Sequence, residues 1–191
     1  MPIQIGAKRE SSFTDPIGLL GDCHRRVERF LAVLIHVAEQ AHGEPFTDEQ
    51  RAPWETALRY FRDAAPKHTA DEEESLFPRL RAMDRADVKV LLARVDGLEQ
   101  DHVRAGAGHA EVDRLGLAWL ANGRLSQEDA ARLIAVLADL AELYRAHLAI
   151  EDTEVFPLAA KVLSATDREA IGGEMAVRRG LGPRTSVTRQ G

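Results

Sequence analysis

Residues 68–78 read HTADEEESLFP and residues 147–157 read HLAIEDTEVFP. Each is H-x-x-x-E with a Phe-Pro pair beginning five residues after the glutamate: His68, Glu72 and Phe77-Pro78, then His147, Glu151 and Phe156-Pro157. A further histidine stands upstream of each, at His24 and His102. From 24 to 68 is 44 residues and from 102 to 147 is 45. The chain therefore contains an internal repeat, with one histidine on a first element and an H-x-x-x-E on a second. The rest of the sequence says what those elements are.

Apolar residues around these histidines recur at steps of three and four, the period of an amphipathic helix. The first seam runs Leu20, His24, Val27, Leu31, Leu34, Ala38 and Ala41. It opens at Asp15-Pro16, a good N-cap followed by a residue favoured at the first helical position, and stops at about His42, before Gly43-Glu44-Pro45. Thr47 and Gln50 suggest a capping box for a second helix with seam Trp54, Leu58, Phe61, Ala65, His68 and Glu72. Pro66 kinks this helix or marks a junction, and Pro78 places its end near residues 77–82. Asp84 caps a third helix with seam Val88, Leu91, Val95, Leu98, His102, His109 and Val112, fading at Asn122-Gly123. Ser126 caps a fourth with seam Leu133, Leu137, Leu140, Tyr144, His147, Glu151, Val155 and Leu158.

The expected fold is all-α: an up-down-up-down four-helix bundle with a short C-terminal helix after Ser164 and flexible tails. Its divisions are an arm over 1–14, the bundle over 15–162 in two repeats (15–82 and 84–162), and a short helix and frayed tail over 163–191. Phe77-Pro78 and Phe156-Pro157 read as wedges that end helices and close the bundle.

His24, His68, Glu72, His102, His147 and Glu151 all occupy seam positions where the pattern calls for Leu or Ala. A polar group buried without a partner costs several kcal/mol, so six at equivalent places on four helices need a common partner. His and Glu at i, i+4 project from one helical face about 6 Å apart. The levels also agree. His24 lies 18 residues before the end of its helix and His68 lies 21 after the start of the next; for His102 and His147 the figures are 20 and 21. At ~1.5 Å per residue each pair lies within a turn of one level.

Composition limits the partner. The 191 residues hold 7 His but 1 Cys, so a thiolate cage or an internal disulfide is excluded and a reducing compartment is expected. A net charge of −6 speaks against general nucleic-acid binding, and no apolar run reaches the roughly 18 residues of a membrane span. The N-terminus has no apolar signal segment, so a cytoplasmic protein is expected. Four imidazoles and two carboxylates exceed one zinc's four ligands, and calcium and magnesium favour oxygen. Two metal ions, each with two terminal histidines and with the glutamates bridging, fit the count. Iron suits the ligand mix, with manganese or zinc as possible substitutes.

On these residues the chain resembles the hemerythrin-like HHE cation-binding family, in its bacterial di-iron H…HxxxE…H…HxxxE form, over about residues 15–162. The resemblance implies terminal iron ligands at His24, His68, His102 and His147. It also implies bridging carboxylates at Glu72 and Glu151, with an oxo or hydroxo group completing an Fe-O-Fe unit. It implies a small ligand (O2, NO or H2O2), with enzymatic alternatives in catalase-like or ferroxidase activity, and a further one in repair of iron–sulfur centres or nitrosative damage.

Oxygen carriers of this family place a second histidine four residues after the third-helix ligand, where this chain has Gly106, which would leave both irons with an open position. They also use H-x4-D on the last helix, which would select Asp152. A +5 residue is turned about 140° from the histidine and a +4 residue about 40°, and the first repeat matches Glu151.

Around the six, Glu28, Gly106, His109 and Tyr144 are expected beside the centre: Glu28 as a partner of His24 or a solvated acid, His109 as a core group or neighbour of the ligands. Tyr144 either packs or hydrogen-bonds a bound oxygen species. His36 and His42 read as surface residues, Asp71, Glu73 and Glu74 as a solvated acidic face, and Cys23 as inert. The tail arginines weakly suggest an anionic partner. A monomer or weak homodimer is expected, with no nucleic-acid or membrane partner.

Overall fold

The computed structural model describes residues 11–182, and among these every regular element is helical. The first arm is α1 (Pro16–Ala41). Asp15 caps it, its Oδ1 accepting the Gly18 amide at 3.1 Å, and it ends at His42 in the left-handed conformation, φ 46°. The second arm begins with α2 (Asp48–Asp63), whose Thr47 amide donates to the Gln50 side chain at 3.0 Å. It breaks at Ala64 and resumes as α3 (Ala65–Asp71), with Pro66 in the first turn where its missing N–H costs little. After a wide turn at Glu72–Leu76 the arm continues as α4 (Phe77–Arg81). The third arm is the unbroken α5 (Ala86–Asn122). It starts from an extended Arg85 rather than from the predicted Asp84 cap. The fourth arm is α6 (Gln127–Ile150), a second wide turn at Glu151–Val155, and α7 (Phe156–Val162). A terminal helix, α8 (Ala165–Arg178), follows a Ser164–Asp167 capping box.

The Phe-Pro pairs do not end helices. In both repeats the Phe amide donates five residues back, Phe77 to Glu72 and Phe156 to Glu151, which makes a single π-turn. In a regular helix the proline ring would strike the carbonyl four residues earlier. The widened turn relieves that contact, and each proline then occupies the first turn of a resumed helix. The Ser75 carbonyl, close to the first break, accepts from the Arg79 guanidinium at 2.8 Å.

The C-terminal helix is also better anchored than a frayed tail. Arg178 and Arg179 donate to the carboxylate of Asp71 at 3.0 and 2.6 Å, and Asp71 is fully buried rather than part of a solvated face. Arg178 also donates to Ser75 and Glu74. Within the predicted flexible arm, Ser11 donates its amide to Asp22 at 2.5 Å. The Phe13 carbonyl passes so close to α8 that a Cβ on Gly172 would stand 1.9 Å from its oxygen; only glycine allows that approach. Residues 1–10 and 183–191 of the predicted tails lie outside the described residues.

The core is divided into two apolar clusters. One takes Val27 to Ala41 of α1, Trp54 to Phe61 of α2, Ala105 to Trp119 of α5 and Leu133 to Leu140 of α6. The other takes Ile17 to Leu20, Leu76 to Leu80, Val88 to Leu98 and Val155 to Leu163, with Ile171 and Met175 of α8. On every arm the residues between the two clusters include the histidines and glutamates of the repeat. Each fully buried Leu or Phe in these clusters stabilises the fold by about 1.5–3 kcal/mol. Together they enclose a polar layer away from water.

Candidate metal centre

His24 and His147 are 2% exposed, His68 is 7%, and Glu72 and Glu151 are 0%. The first, second and fourth arms supply these five residues, and the third, α5, supplies His102, largely buried between the same two apolar clusters. Within each repeat the two imidazoles stand side by side. The His24 and His68 ring centroids are 5.0 Å apart, those of His102 and His147 4.7 Å.

The glutamates join the two pairs. Glu72 Oε1 lies 3.4 Å from His68 Nε2 and 3.9 Å from His24 Nε2, while its Oε2 lies 3.4 Å from His102 Nε2. Glu151 Oε2 lies 3.1 Å from His24 Nε2 and 3.2 Å from His147 Nε2. Donor atoms of His24, His68, Glu72 and Glu151 all fall within 4.8 Å of one another, as do those of His102, His147 and Glu151. Both carboxylates thus face both imidazole pairs.

Proximity does not satisfy these atoms. Both oxygens of Glu72, both of Glu151 and Nε2 of His24 are buried without a hydrogen bond. Leaving such groups unmet costs about 1–3 kcal/mol each, more when charged. Cations held among these donors would give the unmet atoms partners, so the donor set fits the metal that its chemistry implies.

The electrostatics carry the same signature. Burial opposes a charge on His24, yet the carboxylates of Asp152, Glu151 and Glu72 outweigh it and push its pKa up to about 12. His102 is likewise opposed by burial and raised to about 9 by Glu72 and Glu73. His68 is lowered, chiefly by desolvation. Burial would raise Glu72, but the surrounding imidazoles hold it well below the usual carboxylate range. Protons here compensate carboxylate charge that a bound cation could compensate instead.

Two outer carboxylates belong to the site. His24 Nδ1 shares a 2.8 Å hydrogen bond with Asp152, and His102 Nδ1 shares one with Glu73, also 2.8 Å. Asp152 is therefore an outer partner at the predicted Glu151 position's next residue, and Glu73 is not simply a solvated acid. The sequence did hold a signal: an acid directly follows the glutamate in both repeats. Its use is crossed between repeats, which no local pattern reveals. Asp101 Oδ2 stands 3.7 Å from His147 Nδ1, too far for a hydrogen bond. Phe156 stacks on His24 with centroids 4.9 Å apart, and Phe77 lies parallel to His102 at 6.5 Å.

Of the other residues expected near the centre, Glu28 is exposed and outside this cluster; at +4 from His24 it falls on the outer flank of α1, while +3 and +7 (Val27 and Leu31) point inward. His36 and His42 are exposed. Gly106, His109 and Tyr144 line a cavity of about 360 Å3 that reaches His68, His102 and His147. Tyr144 and His109 Nε2 are hydrogen-bonded to each other at 2.9 Å. Cys23 is buried, and desolvation raises its thiol pKa.

An all-helical bundle with a buried His/Glu layer supplied by four arms defines a cation-binding helical domain. The model of the hemerythrin HHE cation-binding domain matches residues 15–159, and the chain belongs to that family. It is also similar to an uncharacterized protein of Haemophilus influenzae, 27% identical over 172 residues that cover 88% of this chain and 92% of that protein. No helix among the described residues is long and apolar enough to cross a membrane.

Proposed function

We propose that this chain is a di-iron protein that binds or processes a small diatomic or peroxide ligand: O2, NO or H2O2. His24 and His68 would hold one ion, His102 and His147 the other, and Glu72 and Glu151 would bridge them. The observation that carries this reading is the set of five buried, unpartnered donor atoms between two imidazole pairs. The split reach of Glu72, one oxygen toward each pair, supports two ions over one. A single zinc would leave several of these donors unmet. Manganese or zinc could substitute for iron at such ligands.

We read the bundle as up-down-up-down. The arms enter the two apolar clusters in alternating order along the chain, α1 and α5 from one side and the second and fourth arms from the other.

When bound, a pair of irons would supply a redox couple and open coordination positions for the small ligand. The chain's own residues do the rest. Asp152 and Glu73 fix the ring orientation of His24 and His102 by accepting or sharing the Nδ1 proton, leaving Nε2 turned inward. The apolar clusters close the layer above and below. Gly106 leaves open the cavity wall that a bulkier residue would fill, so a ligand has a path to His68, His102 and His147.

We further propose a cytoplasmic monomer or weak homodimer without a nucleic-acid or membrane partner, a reading supported by the net charge of −6 and the single cysteine.

Elemental analysis of the purified protein tests the centre: two irons per chain are expected, with His147→Ala losing metal and His36→Ala retaining it. One ion per chain, or metal content indifferent to His147→Ala, would overturn the assignment.

A further inference from the structure

The cavity beside the imidazole layer is larger than a diatomic ligand requires. At about 360 Å3 it exceeds twice the roughly 150 Å3 that suffices to bind benzene in an apolar cavity. It falls within the range of about 300–1,000 Å3 of small-molecule pockets. Its walls are apolar, with buried Val27, Leu58, Phe61, Val112 and Leu148. Exposed Gly106 and Ala110 of α5, across from Ala65 of α3, keep its mouth wide. His68, His102 and His147 form the inner end.

One polar group in the wall has an unmet need. The His109 ring stacks on Phe61, centroids 4.1 Å apart, and Nε2 is paired with the Tyr144 hydroxyl. Its Nδ1 is buried without a partner. Burial pushes the pKa of His109 down to about 4, so the ring is neutral at pH 7 and Nδ1 offers either an N–H or a lone pair. Neither cation in the lining is free to receive an anionic group: Arg62, at the rim, is held by Asp113 at 2.5 Å, and His102, at the inner end, by Glu73 at 2.8 Å with Glu72 beside it.

We propose that this cavity binds a neutral, mostly apolar organic molecule of one or two rings. A single hydroxyl or carbonyl would meet the His109–Tyr144 pair, and the inner end would lie against His68, His102 and His147. Binding needs only the cavity; the metal-centre reading enters only through what the inner end would face.

The test is calorimetric titration of the purified protein, its metal content assayed in parallel, with 2-naphthol, 2-methylnaphthalene and 2-naphthoate. One 2-naphthol per chain is expected, with the methyl analogue about five- to tenfold weaker for want of the hydrogen bond, and the carboxylate weakest. Gly106→Phe, at a position where an added Cβ meets nothing within 4 Å, fills the mouth and lowers 2-naphthol affinity by about tenfold or more. His109→Leu removes the preference for hydroxyl over methyl. Should that variant not fold, Gly106→Phe carries the test alone. No binding of 2-naphthol to protein carrying its full metal overturns the inference and leaves the metal centre standing. So does binding untouched by Gly106→Phe, or a preference of the metal-free protein for 2-naphthoate. Binding by protein that cannot hold metal supports the pocket and removes the metal reading.

Discussion

The two outer carboxylates make a graded prediction, because one of three candidate partners is too distant. Asp152 and Glu73 each lie 2.8 Å from the Nδ1 of a central histidine, whereas Asp101 stops 3.7 Å from His147. Asp152→Ala or Glu73→Ala frees one imidazole to turn about its χ2 and lowers its basicity. Loss of such a partner weakens metal binding about 10- to 100-fold, or roughly 1.4–2.7 kcal/mol. Asp101→Ala removes no hydrogen bond and should stay within about threefold of wild type. The side chain of Asp152 is 49% exposed and that of Glu73 36%, so solvent screens much of their charge, and orientation outweighs attraction. Asp152→Asn, which keeps an accepting oxygen, should therefore recover most of the affinity. The assay is competition for iron against a graded chelator series, followed by metal retained per chain. Equal losses in Asp101→Ala and Asp152→Ala would refute this geometry, as would no loss in either outer-carboxylate variant.

Stability should depend on His109 through pH. Because its folded pKa is depressed from 6.5 to about 4, its contribution is full above pH 6.5 and is lost as pH falls toward 4. That is about 2–3 kcal/mol between pH 7 and 4.5, and urea denaturation should show His109→Leu losing that much less over the interval; identical pH slopes would exclude the effect. Arg178→Ala strands the buried Asp71 carboxylate on Arg179 alone and should cost about 2–3 kcal/mol in the same measurement. Arg145→Ala, breaking an ion pair exposed on both sides, should leave stability nearly unchanged; equal costs would mean that burial of Asp71 does not matter. Gly172→Ala, whose Cβ meets the Phe13 carbonyl, should destabilise by about 1–3 kcal/mol. The exposed Gly106→Ala should instead stabilise α5 by up to about 1 kcal/mol, and thermal melts separate the two outcomes.

The helical arms and the convergence of six side chains were legible because both are written in periodicity. A residue on the same seam as core apolar residues, three, four or seven positions away, tends to face the core whatever its polarity, so His24, His68 and His102 could be placed from Val27, Phe61 and Leu98. Proline is ambiguous in sequence for an equally physical reason. In sequence, Pro78 and Pro157 mean a lost amide and a steric clash, and stopping a helix or widening one turn resolves both equally well. Only packing chooses: α4 and α7 carry Leu80 and Ala159 into the second apolar cluster, so continuing the helix buries surface that ending it would expose. The docking of α8 was hidden because Asp71 looks solvated beside Glu73 and Glu74 until arginines more than a hundred residues later cover it. The cavity was hidden because volume is what side chains leave behind.

The same distinction explains the crossing of the outer carboxylates. Each repeat looks self-sufficient in sequence, with its own histidines and glutamate and an acid to spare. Yet Glu73 of the first repeat braces His102 of the second, and Asp152 of the second braces His24 of the first. Glu72 and Glu151 likewise each face both imidazole pairs. Neither half could orient its own first histidine alone. On the proposed di-iron reading, the centre would therefore be complete only where the two helix pairs are packed together.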